Sequence, residues 1–225
     1  MFLDLNIKGI CSKYGVSYTD FLNDFGLENT KELSLFDLEA ICDENTIDLH
    51  SLLFKPMFKS NALNAKLDKI KLLILDVDGV MTDGGMYFTE NGDQIKKFNT
   101  KDGMAIMHLT KKDFQVAILS SGFTNNMVQD RAKLLGIQKC YVGREKKISI
   151  LNEYCKELSI ELENVAIVGD DINDLEVIKN VGFSACPADA MDVVKSNVDV
   201  ILNRKGGEGC VREFIDTYIL EKPLS

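Results

Sequence analysis

The stretch Leu72-Leu-Ile-Leu-Asp76-Val-Asp78-Gly79 leads an apolar run directly into two carboxylates that are two residues apart. A continuous apolar run is typical of a strand that is buried on both faces of a parallel sheet. Asp76 and Asp78 then lie at the carboxyl end of that strand, where ligands bind in such sheets. Two carboxylates that converge there repel each other and favour a bound cation, most naturally Mg²⁺ with oxygen ligands. An ordinary polar turn is the alternative, since Asp and Gly are common loop residues.

Around this stretch, apolar runs alternate with amphipathic ones from residue 70 onward. The expected strands cover residues 70–75, 115–119, 139–142, 164–168, 182–186 and 199–202. The expected helices cover residues 103–112, 125–135, 146–158, 173–180, 190–195 and 208–220. This alternation predicts an α/β fold, a doubly wound parallel sheet with helices on both faces. Within residues 84–98, Asn91-Gly92 lies between two strand-like arms and predicts a projecting β-hairpin.

The first part of the chain has a different pattern. Ser34 and Asp37 are spaced as a capping box, and short helical patterns break near Gly15 and Gly26. We expect residues 1–54 to form a small all-α accessory module, residues 55–69 a linker, and residues 70–225 the α/β domain.

Composition limits the function classes that remain. The chain has 225 residues, with 26 basic and 35 acidic side chains and a formal net charge of −9. Neither part offers a basic face, so we expect no nucleic-acid partner.

The six cysteines form no C-x-x-C pair, as expected in a reducing compartment. The N-terminus lacks the basic region of a signal peptide, and no apolar run approaches the roughly 20 residues of a membrane span. We therefore expect a cytoplasmic protein with no membrane partner.

Further polar residues follow other expected strands. Asp170, Asp171 and Asp174 add carboxylates at a strand end, where a metal is the simplest way to neutralise them. Ser120 precedes a helix and could help to receive a phosphate, although serine is also a common N-cap. Lys147 opens a helix, where a solvated surface lysine is the ordinary alternative. With only two histidines in the chain, the chemistry is expected to use mainly carboxylates.

The order and types of these residues resemble the four motifs of haloacid dehalogenase superfamily phosphatases. Within that superfamily, residues 70–222 are similar to the 3-deoxy-D-manno-octulosonate (KDO) 8-phosphate phosphatases and their relatives that act on nine-carbon sugar acid phosphates. The matching stretches are residues 76–84, 97–103, 168–171, 188–190 and 206–213, together with Arg131 and residues 135–137. The resemblance covers about two thirds of the chain and includes the hairpin.

The resemblance implies an Mg²⁺-dependent phosphatase that works through an aspartyl-phosphate intermediate. It makes Asp76 the nucleophile and Asp78 the general acid and base, with Ser120 and Lys147 positioning the phosphoryl group. The implied metal ligands are Asp76, Asp170 and the backbone carbonyl of Asp78. By the same resemblance, Asp171 and Asp174 orient metal-bound waters and Lys147. The relatives it resembles have no cap domain and form homotetramers through the hairpin.

The substrate and two other function classes stay open at this point. The relatives usually carry Gly followed by Arg or Glu after the second-motif hydroxyl, whereas this chain has Ser121-Gly122. The substrate implied is a phosphorylated 3-deoxy sugar acid, either KDO 8-phosphate or a nonulosonate 9-phosphate. One alternative is a non-catalytic, tetramerising module associated with a sugar-acid cytidylyltransferase. Another is a receiver-like phospho-acceptor domain, which intact Asp78 disfavours because it would hydrolyse the phosphoenzyme.

Overall fold

A computed structural model of the protein describes residues 2–54, 57–58, 61–91, 94–122 and 126–220. The chain divides into two compact units, Met1–Ala65 and Lys66–Ser225. The proposed module, linker and domain boundaries at residues 54 and 69 stay a prediction. A short helix, Asn61–Leu67, occupies part of the segment expected to be a linker.

The N-terminal unit is built from short helices. They are α1 (Leu3–Tyr14), α2 (Tyr18–Asp24), α3 (Leu35–Asn45) and α4 (Leu49–Phe54), with a 3₁₀ turn at Thr30–Glu32. Helix α5 (Asn61–Leu67) begins in this unit and ends in the second. The predicted capping box is present, because the Ser34 hydroxyl accepts the Asp37 N–H and the Asp37 carboxylate accepts the Ser34 N–H. Its small core includes Ile7, Ile41 and Leu52. The all-α character predicted for this part is confirmed.

The second unit contains a six-stranded sheet, all of whose pairings are parallel. The strands are β1 (Leu72–Leu75), β4 (Gln115–Ser120), β5 (Lys139–Val142), β6 (Val165–Val168), β7 (Phe183–Cys186) and β8 (Val200–Ile201), in the order β5-β4-β1-β6-β7-β8. Central strands β1 and β6 are buried along their whole length. This arrangement confirms the doubly wound parallel sheet.

The hairpin is formed by β2 (Tyr87–Phe88) and β3 (Gln94–Ile95), which pair antiparallel with Tyr87 opposite Ile95. Gly92 of the expected turn lies outside the described residues. Met86, Tyr87, Phe88 and Ile95 are each more than half exposed. The hairpin therefore presents apolar side chains outward.

Helices connect the strands, with some ends displaced from those expected. They are α6 (Thr100–Thr110), α7 (Asn126–Leu134), α8 (Lys147–Leu158), α9 (Leu175–Ile178), α10 (Asp192–Lys195) and α11 (Cys210–Phe214). The expected start of α6 at residue 103 was wrong, because the Asn99 side chain caps the N–H groups of Lys101 and Asp102 and begins the helix earlier. Helix α9 is shorter than expected because a 3₁₀ turn, Ile172–Asp174, replaces its first residues.

Candidate active site

The turn after β1 begins with Asp76 and bends at once. The Asp76 N–H donates to the carbonyl of Val168 at 3.1 Å, which extends the sheet pairing by one residue. Residues Val77–Met81 then form a kinked turn in which Asp78 and Gly79 have non-helical backbone angles, with a φ of 88° at Gly79. A Cβ atom on Gly79 would lie 2.0 Å from Asp170 Oδ2. Glycine at this position therefore lets the turn pack directly against the Asp170 carboxylate.

Lys147 lies between two buried carboxylates. Its Nζ is 2.8 Å from Asp76 Oδ1 and 2.7 Å from Asp174 Oδ1, and all three side chains are buried. Burial would lower the pKa of Lys147, but the charges and hydrogen bonds of Asp76 and Asp174 outweigh it and raise the pKa above its ordinary value. The lysine is therefore held charged inside the site.

Asp76, Asp170 and Asp174 form an acidic cluster, in which one oxygen from each lies within 4.8 Å of the others. Burial and the neighbouring carboxylates raise the pKa of Asp76 to about 7 and that of Asp170 to about 8. Asp170 Oδ1 is buried without a hydrogen-bond partner in the described part of the chain. A divalent cation fits this cluster, because it would satisfy that oxygen and offset the repulsion between the carboxylates.

Asp174 and Asp171 also shape the loop after β6. Asp174 Oδ2 accepts the N–H groups of Asp170 at 3.1 Å and Asp171 at 3.4 Å. Asp171 Oδ1 accepts the Ile172 N–H at 2.6 Å, so this side chain caps the 3₁₀ turn. Asp174 thus belongs to the buried cluster, whereas Asp171 lies at its partly exposed edge.

Asp78 faces a cation that sequence reasoning missed. Lys96, which directly follows β3 of the hairpin, forms an ion pair with Asp78 Oδ1, and the Lys96 side chain is only 8% exposed. The neighbouring Lys97 side chain is 70% exposed and lies 3.8 Å from an Asp83 carboxylate oxygen. The alternation of side chains in an extended segment could have indicated that only one of these adjacent lysines faces the site.

Ser120 ends β4 beside this turn. Its buried hydroxyl accepts the Gly122 N–H at 3.1 Å. A Cβ atom on Gly122 would lie 3.2 Å from Ser120 Oγ and 3.7 Å from Asp78 Oδ2, so residues 120–122 approach the Asp78 carboxylate. Nearby, the Asn173 side-chain amide donates to Ser121 Oγ at 3.1 Å. Asn173 was not among the predicted site residues.

Two clefts flank the Asp78 turn. One of about 220 Å³ is lined by Asp76, Asp78, Gly84, Met86, Gln94, Lys96, Ser121, Gly122, Asp171 and Asn173. The other, of about 280 Å³, is lined by Asp78, Gly79, Asp83, Gly84, Asp170, Asp171 and Asp189.

The structure brings six of the predicted site residues together at the carboxyl ends of β1, β4 and β6 and the start of α8. They are Asp76, Asp78, Ser120, Lys147, Asp170 and Asp174. A larger cavity of about 500 Å³ lies in the N-terminal unit, mainly among apolar side chains.

Comparisons with known proteins identify the class to which this site belongs. Residues 142–214 match the family model described as haloacid dehalogenase-like hydrolase. The chain is 41% identical over 156 residues to the 3-deoxy-D-manno-octulosonate 8-phosphate phosphatase KdsC of Escherichia coli strain K12, which covers 69% of this chain and 82% of that protein. The chain belongs to the family of these phosphatases within the haloacid dehalogenase-like hydrolases, and it is an enzyme. The resemblance predicted from the motifs is confirmed.

Solved structures agree with this assignment. The KDO 8-phosphate phosphatase of Moraxella catarrhalis, in complex with magnesium, phosphate and a KDO molecule, superposes with a TM-score of 0.68 at 32% identity. It covers 72% of this chain and 92% of that one. The cobalt-bound phosphatase of Haemophilus influenzae gives a TM-score of 0.65 at 38% identity, covering 68% and 90%. One relative with this fold therefore holds magnesium and another holds cobalt.

A membrane-spanning helix is not found in the described ranges, where every helix is too short or too polar to cross a bilayer.

Proposed function

We propose that this enzyme hydrolyses the phosphate ester of a phosphorylated 3-deoxy sugar acid, KDO 8-phosphate or a nonulosonate 9-phosphate, with Mg²⁺ as its metal. The observation that carries the proposal is the contact of Lys147 with Asp76 beside the acidic cluster. It supports the proposal because a buried carboxylate and a cation lie beside a cluster of carboxylates that could hold a metal ion. The family and the metals bound by its solved relatives support the same conclusion.

In the first step, Asp76 would attack phosphorus and form an aspartyl phosphate while the bond to the sugar oxygen breaks. Asp78 would donate a proton to the leaving alkoxide. The ion pair with Lys96 would then hold the Asp78 carboxylate in place for the second step. In the second step, Asp78 would take a proton from a water molecule that attacks phosphorus. Inorganic phosphate then leaves and the Asp76 carboxylate is restored.

The charge of the phosphate group is the main obstacle to this attack. Mg²⁺ held by Asp76, Asp170 and the backbone carbonyl of Asp78 would offset the repulsion between carboxylate and phosphate. Lys147 would add a second positive charge beside Asp76. Ser120 and the N–H groups after it would hold the remaining phosphoryl oxygens. Asp174 keeps Lys147 in position, and Asp171 would orient metal-bound water.

The cleft beside Asp78 suits a polar substrate. Gln94 and Lys96 come from the hairpin side, and Ser121 and Asn173 come from the loops after β4 and β6. These amide, hydroxyl and ammonium groups match the hydroxyl and carboxylate groups of a sugar acid. The apolar side chains that the hairpin presents outward support a homotetramer in which hairpins are covered by neighbouring subunits.

A phosphate-release assay tests the proposal. The full chain with Mg²⁺ is offered KDO 8-phosphate, a nonulosonate 9-phosphate and the generic ester p-nitrophenyl phosphate. Asp76→Asn is expected to abolish turnover of all three, because the amide is a poor nucleophile. Asp113→Asn is the matched control, since Asp113 is exposed and its φ of 59° suits asparagine. Wild-type protein that releases phosphate from none of the three substrates would contradict the proposal.

A further inference from the structure

A buried carboxylate outside the acidic cluster, Asp102, has no part in the proposed reaction. It lies in the first turn of α6 and is 2% exposed. Its Oδ1 accepts the backbone N–H of Arg212 at 2.7 Å, and the N–H of Gly209 also faces the carboxyl group. Its Oδ2 is buried without a hydrogen-bond partner within the described ranges. A buried carboxylate is costly, so its place here calls for a reason.

The partners of Asp102 show what it holds. Helix α11 follows Gly209, which has no side chain to cap the first N–H groups of the helix. Arg212 is the third residue of α11, the position whose N–H an N-cap side chain usually accepts. Asp102 therefore supplies from α6 the acceptor that the glycine cannot supply, although it lies 110 positions earlier in the chain.

The segment 206–212 in turn supports the turn that carries Asp78. The Gly207 N–H donates to the carbonyl of Val80 at 2.9 Å, and Cys210 Sγ lies 3.3 Å from the same oxygen. A Cβ atom on Gly206 would lie 2.0 Å from the carbonyl oxygen of Gly79. The two backbones are thus in direct contact, and a shift of one would displace the other.

Other side chains fix the same segment near its start. The Asn99 side-chain amide donates to the Gly207 carbonyl at 3.1 Å, and Asp189 Oδ1 accepts the Gly206 N–H at 3.0 Å. Asn99 and Asp189 therefore hold residues 206–207, while Asp102 holds the end at residue 212.

We propose that Asp102 is a positioning residue of the phosphatase, whose carboxylate fixes residues 206–212 behind the Val77–Met81 turn and so holds Asp78 for proton transfer. This inference rests on the proposed function. Burial raises the pKa of Asp102 to about 6, against the effect of the N–H groups of Arg212 and Gly209, which favour the ionised form. In the ionised form, the Asp102 carboxylate accepts these backbone N–H groups most strongly. A cap with no other role would affect stability alone.

The experiment compares Asp102→Ala, Asp102→Asn and the control Asp216→Asn in the full chain with Mg²⁺. Asp216 contacts the Arg212 guanidinium and not its backbone N–H, so it tests the neighbouring ion pair. With p-nitrophenyl phosphate, Asp102→Ala is expected to lower kcat about 10- to 100-fold at nearly unchanged KM, as small misplacements of catalytic groups do. Asp102→Asn keeps an oxygen acceptor and should recover part of the loss, and Asp216→Asn should behave like the wild type.

A second readout does not depend on activity. Amide hydrogen exchange of residues 77–82, measured well below the melting temperature, should become faster in Asp102→Ala and stay unchanged in Asp216→Asn. The inference would be overturned if Asp102→Ala had a lowered melting temperature but kept the kcat of the wild type and its rate of exchange at residues 77–82.

A separate outcome concerns the proposed function. If the wild-type protein hydrolyses no phosphate ester, the proposed function is refuted, while the exchange of residues 77–82 still decides whether Asp102 supports the turn. Should Asp102→Ala fail to fold, Asp102→Asn provides both measurements.

Discussion

The ammonium group of Lys147 lies 2.8 Å from Asp76 Oδ1, although the two residues are 71 positions apart in the chain. The contact joins the start of α8 to the end of β1. It is buried, and Asp174 completes it from the other side. Lys147 therefore neutralises part of an acidic cluster whose carboxylates would otherwise repel one another. In the proposed reaction it would also lie beside a phosphoryl group on Asp76.

Lys147→Ala should impair both activity and stability. In the proposed reaction this substitution removes a positive charge beside the phosphoryl group, and we expect kcat to fall at least about 100-fold. It also leaves buried carboxylates without their partner, which typically costs about 3–5 kcal/mol in the free energy of unfolding. Phosphate release and thermal unfolding measure the two effects. Lys146→Ala is the control, because the Lys146 side chain is mostly exposed. Its ammonium group makes only a long contact, at 3.8 Å, with a Glu176 oxygen. Similar losses in both variants would contradict the role of Lys147.

Mg²⁺ binding should strengthen as pH rises. The metal binds carboxylates, whereas Asp76 and Asp170 have pKa values raised to about 7 and about 8 without it. We expect the Kd for Mg²⁺ to fall about 10-fold or more between pH 6 and pH 8. Isothermal titration at several pH values tests this, and an affinity that is constant or weaker at pH 8 would contradict it.

The stability of the metal-free protein should change with pH in the opposite sense. In the folded state these two carboxyl groups keep protons at pH values where the unfolded chain has already lost them. Their contribution to the free energy of unfolding therefore falls as pH rises from about 4 toward the raised pKa values. Mg²⁺ restores stability where the carboxyl groups ionise, so the rise in melting temperature on adding Mg²⁺ should be larger at pH 8 than at pH 6. Asp170→Asn should reduce that difference.

Lys96→Ala should slow turnover more than Lys97→Ala. The Lys96 side chain is nearly buried and ion-paired with Asp78, while Lys97 is mostly exposed. Without Lys96, the Asp78 carboxyl group loses a fixed partner, and we expect kcat for p-nitrophenyl phosphate to fall about 10-fold, a part of what general acid–base catalysis contributes. Steady-state kinetics of the two variants measures this. Equal kcat values would refute the assignment of Lys96 as the residue that holds Asp78.

The sequence predicted the sheet well because its central strands, β1, β4 and β6, are apolar runs that end at polar residues. Asp76, Ser120 and Asp170 each follow such a run, and the parallel pairing of β1 with β4 and β6 brings them to one edge. Lys96 was missed because strand β3 is only two residues long. Alternation indicates that one of the two adjacent lysines faces the site, but so short a strand does not show which one. The contact of Asp102 with the Arg212 N–H was out of reach, since it depends on how α6 packs against a backbone segment far along the chain.

Gly79→Ala should specifically weaken metal binding. A Cβ atom there would lie 2.0 Å from Asp170 Oδ2, so the carboxylate or the turn must move, and the positive φ of 88° adds strain. Gly26→Ala is a matched control, because Gly26 has a φ of 69° and nothing lies within 4 Å of the added Cβ. Both variants should lose about 1–2 kcal/mol of stability from the left-handed conformation. Only Gly79→Ala should also raise the Kd for Mg²⁺, which calorimetric titration of both variants measures. Unchanged Mg²⁺ affinity in Gly79→Ala would show that the contact between this turn and Asp170 does not shape the metal site.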